Sequence, residues 1–137
     1  MASPKKLKTE TVLIASDVHV PDHDRKAWKA MLALARDIRP TTVVLAGDFL
    51  ELQSVSQHSA FNREMLEEDL AAGRQAIEAL QGAAPQAHVI YLEGNHETRL
   101  QRFITSKVPS LEGTLDLPTE LKLKERGVTW AIAYGYR

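Results

Sequence analysis

Cysteine is missing from the 137-residue sequence, and charge of neither sign is in clear excess. The lack of cysteine excludes disulfides and thiolate metal sites, so any metal would be held by Asp, Glu, His, Asn or backbone oxygen. Lys and Arg number 17 and Asp and Glu 18, which gives a formal net charge of −1. Composition therefore gives no reason to expect a nucleic-acid or membrane binder.

Long hydrophobic runs are also lacking. The basic residues at the start precede an apolar run at 12–15, which is too short for the core of a signal peptide and is soon followed by Asp17. No other stretch approaches the length of a membrane span. We therefore expect a soluble, cytoplasmic protein without a membrane partner.

What is present is an ordinary globular composition, with 44% hydrophobic and 26% charged residues, enough for one domain with a modest core. Residues 1–9 contain the basic cluster Lys5, Lys6 and Lys8 and are predicted to be a disordered basic N-terminus. Residues 10–137 are predicted to form the folded domain.

Short apolar strands alternate with amphipathic helices along the chain. The β-branched runs predict strands at Thr11–Ser16, Thr41–Ala46, Ala87–Leu92 and Val128–Tyr134. Helical spacing of apolar residues predicts helices at Asp24–Arg39, Arg63–Leu80, Glu97–Ile104 and Thr119–Glu125. The order β-α-β-α-β-α-β favours an α/β fold with a mainly parallel sheet flanked by helices and strands buried on both faces.

Each of the first three predicted strands ends at a polar cluster. The clusters are Asp17-Val18-His19, then Gly47-Asp48, then Glu93-Gly94-Asn95-His96-Glu97. The carboxyl ends of parallel strands lie at one edge of the sheet, where open α/β sheets bind their ligands. We therefore expect positions 17, 48 and 95 to meet at that edge.

The residue types in these clusters suit two divalent metal ions. Asp17 and His19 are two apart, so in extended backbone they would point the same way and hold one ion. Asp48 has two carboxylate oxygens and can bridge both ions, and Asn95 offers an amide oxygen to the second ion. Mixed oxygen and nitrogen ligands favour Mn, Fe or Zn, and Mg stays an alternative although it prefers sites made only of oxygen. His96 is placed to protonate a leaving-group oxygen.

Each cluster alone is a weak signal, because Asp-x-His and Gly-Asp are common in loops and turns. In this order, at one sheet edge and with Gly-Asn-His-Glu, they resemble the motifs of the calcineurin-like metallophosphoesterase superfamily over about residues 11 to 104. The resemblance implies that Asp17, His19 and Asp48 hold a first metal and that Asp48 and Asn95 hold a second. It also implies that His96 is catalytic.

The resemblance implies a metal-dependent phosphoesterase in which a hydroxide bound at a dinuclear metal centre attacks phosphorus in line. Its substrates would be phosphate monoesters or diesters, nucleotides and nucleic acids among them. Phe49 after Gly-Asp and Arg99 after Gly-Asn-His-Glu are similar to the prokaryotic and phage members.

The sequence departs from the family after His96. The family adds a later histidine and a G-H-x-H motif, which complete both metal shells, and no histidine follows His96 here. The chain therefore resembles the first half of the metallophosphoesterase α/β sandwich, apparently truncated at its C-terminus. We expect at most one tightly bound ion and negligible phosphodiesterase activity for the 137 residues alone. The alternative is a catalytically inert family member that binds metal weakly or not at all. A sheet without its partner sheet would also be expected to associate or aggregate.

Further polar residues are assigned to substrate contact or to support of the site. Residues 47–52 read Gly-Asp-Phe-Leu-Glu-Leu, so Glu51 can hold His96 in one tautomer, as an aspartate does in the protein-phosphatase branch. The arginine of that branch is missing, which counts against phosphoprotein as the substrate. Arg99 would supply positive charge or pair with an acid such as Glu97. His23 and His58 lie in loops, as solvated residues or substrate contacts.

Overall fold

The computed structural model describes residues 8–57 and 65–132. Its strands are β1 (Val12–Ala15), β2 (Thr42–Ala46), β3 (His88–Glu93) and β4 (Thr129–Ile132). Its helices are α1 (Arg25–Ile38), α2 (Leu66–Ala83), α3 (Thr98–Lys107) and α4 (Leu117–Glu120). Short 3₁₀ turns lie at Gln53–Val55 and Pro109–Leu111. His58, the first two residues of the second predicted helix and the end of the fourth predicted strand lie outside the described residues.

All neighbouring strands are parallel, in the order β1-β2-β3-β4. Leu13 lies opposite Val43, which in turn lies opposite Val89. The predicted α/β class with a parallel sheet flanked by helices is confirmed. Sequential strands become neighbours because each returns through a crossover connection rather than a tight hairpin.

Helix α1 begins and ends where the sequence predicts. The Asp24 side chain caps it by accepting hydrogen bonds from the backbone N–H groups of Lys26 and Ala27, at 2.8 and 3.0 Å. Arg39 ends it in the left-handed region, at φ 48°, and Pro40 cannot continue a helix. The cap and the proline fix the length of the segment that returns the chain from β1 to β2.

One face of the sheet forms the core with α1 and α2. Its buried members include Val43, Leu45, Val89 and Tyr91 from the strands, with Leu32, Ala35, Ile77 and Leu80 from the helices. Burying each larger apolar side chain contributes about 1.5–3 kcal/mol. The core continues toward the carboxyl end of the sheet as a row of aromatic rings, with centroids of Phe49 and Tyr91 5.4 Å apart. This packing holds the loop after β2 against strand β3.

The other face of the sheet differs from the prediction of strands buried on both faces. On β1, Val12 is 47% and Ile14 is 65% exposed, and Val44 and Ile90 on the neighbouring strands are only half-buried. The prediction was wrong for this face because the buried residues alternate along each strand, as in a sheet packed on one side. An apolar sheet face therefore meets solvent.

Three loops meet at the carboxyl edge of the sheet. The backbone N–H groups of Asp17, His19 and Val20 donate to the carbonyl oxygens of Gly47, Asp48 and Phe49 at 3.1, 3.1 and 2.8 Å. The loop after β1 thus continues the parallel pairing beyond the end of the strands. In the described part of the chain, no helix is long and apolar enough to cross a membrane.

Candidate metal centre

Three predicted ligands have left-handed backbone. Asp17, His19 and Asp48 have φ angles of 54°, 59° and 50°. This region is uncommon for residues other than glycine, although Asp and His tolerate it better than most, and such residues cluster at functional sites. The expectation of extended backbone at Asp17 and His19 was therefore wrong. Their side chains meet because the chain turns sharply at both residues.

The structure brings Asp17, His19 and Asp48 into one group. Each offers a ligand atom, and these atoms all lie within 4.8 Å of one another. Nε2 of His19 is 3.9 Å from Oδ1 of Asp17. Two carboxylates and an imidazole at this spacing fit a divalent ion of the Mn, Fe or Zn type, because these metals accept mixed nitrogen and oxygen ligands.

Asn95 lies beside this group, in the loop after β3. The backbone N–H of the next residue, His96, donates to Oδ1 of Asp48 at 2.7 Å. The Asn95 side chain is exposed, and its Oδ1 accepts a long hydrogen bond of 3.4 Å from Arg102. The loop that carries Asn95 is thus fastened to Asp48 through the main chain, while the Asn95 amide oxygen faces Arg102.

Glu51 lies between the two histidines of the centre. Its Oε2 is 2.8 Å from Nδ1 of His19 and 3.4 Å from Nδ1 of His96. Oε2 of Glu51 is not aligned to accept a hydrogen bond from His19. Among the described residues, the buried Nδ1 of His19 therefore has no hydrogen-bond partner. His19, Glu51 and His96 form a second group of close ligand atoms. Glu51 therefore contacts a predicted metal ligand more closely than it contacts His96.

The hydrogen bonds of His96 define its tautomer. Nε2 lies 3.2 Å from a nitrogen of the Arg99 guanidinium, which can only donate, so Nε2 accepts. Nδ1 then carries the hydrogen and donates to the backbone oxygen of Glu51 at 3.0 Å. Arg99 also donates to that oxygen at 2.6 Å and lies 3.4 Å from Oε1 of Glu51. Arg99 thus pairs with Glu51 rather than with Glu97.

Glu97 is the supporting residue that the sequence analysis missed. It is only 2% exposed, and its carboxylate accepts four hydrogen bonds. Oε2 accepts from the backbone N–H groups of Asp48 and Gly94 at 2.9 and 2.8 Å. Oε1 accepts from the N–H of Leu50 at 3.0 Å and from the Tyr91 hydroxyl at 2.9 Å. One buried carboxylate therefore joins the loop after β2 to the loop after β3.

Tyr91 completes this arrangement from β3. Burial raises the pKa of the Tyr91 hydroxyl well above 10.0, and the nearby charge of Glu97 raises it further. The hydroxyl therefore keeps its proton and remains a hydrogen-bond donor to Glu97. No periodicity or motif in the sequence pairs this tyrosine with the acid six residues later, because the contact forms only once the turn that carries Asn95 and His96 has folded.

Gly94 allows the two loops to approach closely. A Cβ atom at this position would lie 2.3 Å from the backbone nitrogen of Asp48, 2.5 Å from Oδ1 of Asp48 and 2.7 Å from Oε2 of Glu97. All three distances are far below contact distance, and the first involves main chain that cannot swing aside. Glycine is therefore required here for Asp48 to reach the loop after β3.

Two of the remaining histidines, His23 and His88, lie outside both ligand groups. His23 packs edge-on against Trp28, with ring centroids 5.9 Å apart, and belongs to neither group. His88 lies at the opposite edge of the sheet, where Nε2 is 2.9 Å from the hydroxyl of Thr129. His58 lies outside the described residues, so its predicted substrate contact stays a prediction.

Comparison with known proteins agrees with this geometry. A sequence model of the calcineurin-like phosphoesterase family matches residues 10–132, which is most of the chain. The chain therefore belongs to the calcineurin-like phosphoesterase family. No curated protein matches it significantly. At the family level the protein is a metal-dependent phosphoesterase, and the described residues contain a candidate ligand group for a metal.

Proposed function

We propose that the chain hydrolyses phosphate esters at a dinuclear metal centre at the carboxyl edge of its sheet. The observation that carries the proposal is the group of Asp17, His19 and Asp48, whose ligand atoms lie within 4.8 Å of one another. Left-handed backbone costs about 1–3 kcal/mol for each of these three residues, and residues held in this way cluster at functional sites.

The proposed centre divides its ligands between two ions. Asp17, His19 and Asp48 would hold the first ion, and Asp48 and Asn95 would hold the second. Bound there, divalent ions would supply Lewis-acid activation of the phosphate and of an attacking water. Asp48 could serve both ions because Oδ1 and Oδ2 are two separate ligand atoms. Its backbone N–H donates to Glu97 at 2.9 Å, and its Oδ1 accepts from the backbone N–H of His96 at 2.7 Å, so both its main chain and its side chain are held between the two loops.

His96 is proposed as the acid for the leaving group. Its ring is oriented by the Nδ1–H bond to the backbone oxygen of Glu51. Nε2 carries no hydrogen while it accepts from Arg99, so it would first have to release Arg99 and take up a proton from solvent before it could pass that proton to the leaving group. Arg99 lies 3.2 Å from that nitrogen and places a positive charge beside the leaving-group side of the centre. The Glu51 carboxylate lies 2.8 Å from Nδ1 of His19 but is not aligned with it, so it would have to turn before it could accept a hydrogen bond there and hold Nε2 toward an ion.

Metal titration of the whole 137-residue chain tests the proposal. The first ion has three protein ligands and the second only two, so we expect one tight site and one weak site. Hydrolysis of a generic aryl phosphodiester should rise with filling of the weak site, because clamping the phosphate needs both ions. Elemental analysis and isothermal titration with Mn²⁺ measure the two sites.

The matched control is His88→Ala, which removes a histidine from the opposite edge of the sheet and should leave Mn²⁺ binding unchanged. His19→Ala should weaken the tight site. A chain that binds no divalent ion would support the alternative of an inert family member, and turnover without added metal would contradict the dinuclear mechanism.

We also propose that the exposed sheet face self-associates with a second copy of the chain. Val12 and Ile14, on β1, present apolar side chains that are 47% and 65% exposed. A sheet face of this kind can pack on its own copy across a two-fold axis. We expect a concentration-dependent dimer by sedimentation velocity.

The Ile14→Lys variant should shift that equilibrium to monomer by at least about tenfold, because it would bury an unpaired charge in the contact. Leu34→Lys on α1, where the side chain is 47% exposed, serves as the matched control and should leave association unchanged. A wild-type chain that stays monomeric at all concentrations would contradict the proposed contact.

A further inference from the structure

A small cavity lies beside the candidate metal centre, on the side of Asn95. Its volume is about 70 Å³, and its lining residues are Val55, Ser56, Gln57, Asn95, Arg99 and Arg102. No carboxylate lines it in the part of the chain that the structure describes. The cavity shares Asn95 with the proposed centre but includes none of Asp17, His19 and Asp48, so its occupant would be a neighbour of the group held there.

The two arginines of the cavity lie on one face of α3. Arg99 and Arg102 are three residues apart, which places their side chains side by side on a helix. Each arginine lies close to a polar atom of a residue that is proposed to take part in the reaction. A nitrogen of Arg99 is 3.2 Å from Nε2 of His96, and a nitrogen of Arg102 is 3.4 Å from Oδ1 of Asn95.

The positive charge of the cavity is only partly balanced. Glu51 pairs with Arg99 at 3.4 Å and is shared with both histidines of the centre. Among residues 8–57 and 65–132, Arg102 has no carboxylate within 4.0 Å, and its one hydrogen bond, to Asn95, is long. A planar guanidinium with unused donors recognises phosphate oxygens well, because it can form two parallel hydrogen bonds.

We propose that Arg99 and Arg102 form a subsite for a second phosphate group of the substrate, next to the phosphate that is hydrolysed. The proposal rests on the proposed function, because the centre defines which phosphate is cleaved. It narrows the substrate class from phosphate esters in general to compounds with at least two phosphates. Two linkages share this chemistry: phosphates joined directly, and phosphates separated by a nucleoside as in a nucleic-acid strand.

The test uses the whole chain in EDTA at low ionic strength, so that the arginines act without metal. Arginine Nε–Hε signals are followed by NMR during titration with thymidine 3′,5′-bisphosphate. The signals of Arg99 and Arg102 should shift and saturate, while that of the exposed Arg36 on α1 should not. Affinity should fall about tenfold in Arg102→Gln, because a charged donor pair to phosphate is lost, and should be unchanged in Arg36→Gln.

Two further measurements separate the outcomes. Inorganic pyrophosphate in place of the bisphosphate reports whether directly joined phosphates bind better than separated ones. Equal affinity of wild type and Arg102→Gln for both compounds, or no shift at Arg99 and Arg102, would overturn the subsite. Saturable shifts in a chain that fails to bind Mn²⁺ would support the phosphate subsite and contradict the metal-dependent function. A failure of the subsite can therefore be told apart from a failure of the proposed function.

Discussion

Asp48→Asn should lower turnover by more than about 10⁴-fold and should cost more than His96→Asn. General acid–base catalysis is typically worth roughly 10²–10⁴-fold, which bounds the loss expected for His96. Asp48 is proposed to bridge both ions, so the neutral amide weakens both sites at once. Its Oδ1 also accepts the backbone N–H of His96 at 2.7 Å, and the amide would retain that contact only in one of its two orientations.

The comparison is made at Mn²⁺ concentrations that fill the weak site of the wild type, with ion content measured on the same samples. Asp48→Asn should lose bound Mn²⁺, whereas His96→Asn should keep it and lose only turnover. Equal losses of turnover from the two changes, or normal ion content in Asp48→Asn, would count against the bridging role.

Much of the fold could be predicted because it depends on local signals. The β-branched runs before Asp17 and Asp48 identify two of the strands, and the Asp24 cap with Pro40 bounds the helix between them. Since parallel strands end at one edge, the sequence also predicts that the loops carrying Asp17, Asp48 and Asn95 are neighbours. These inferences need only periodicity, capping and handedness.

The geometry of the site could not be predicted, because it depends on contacts between distant residues. The left-handed turns at Asp17 and His19 follow from their pairing with the loop after β2, which periodicity does not encode. Glu51 was assigned to His96, yet its carboxylate lies closer to His19. Glu97 accepts a hydrogen bond from the backbone of Asp48, 49 positions away, and no sequence motif indicates such a contact.

Glu97→Gln should destabilise the fold by about 2–4 kcal/mol, although the substitution preserves volume. In the wild type both carboxylate oxygens accept, from three backbone N–H groups and the Tyr91 hydroxyl. In the variant, an NH₂ group replaces one of the two carboxylate oxygens. In either orientation of the amide this NH₂ group faces at least one backbone N–H, and both groups are donors. Each buried donor left without an acceptor costs about 1–3 kcal/mol. Denaturant unfolding of the metal-free chain measures the loss.

The Mn²⁺ affinity of the Glu97→Gln variant shows whether Glu97 positions the metal ligands or only stabilises the fold. Glu97 holds the backbone of Asp48 and Gly94, so Glu97→Gln should weaken Mn²⁺ binding about tenfold even at temperatures where the variant is fully folded. The control is Glu78→Gln on α2, where an exposed side chain 4.0 Å from Arg126 should change stability by less than about 0.5 kcal/mol. If Glu97→Gln unfolds more easily but binds Mn²⁺ as tightly as wild type, Glu97 stabilises the sheet edge without positioning Asp48.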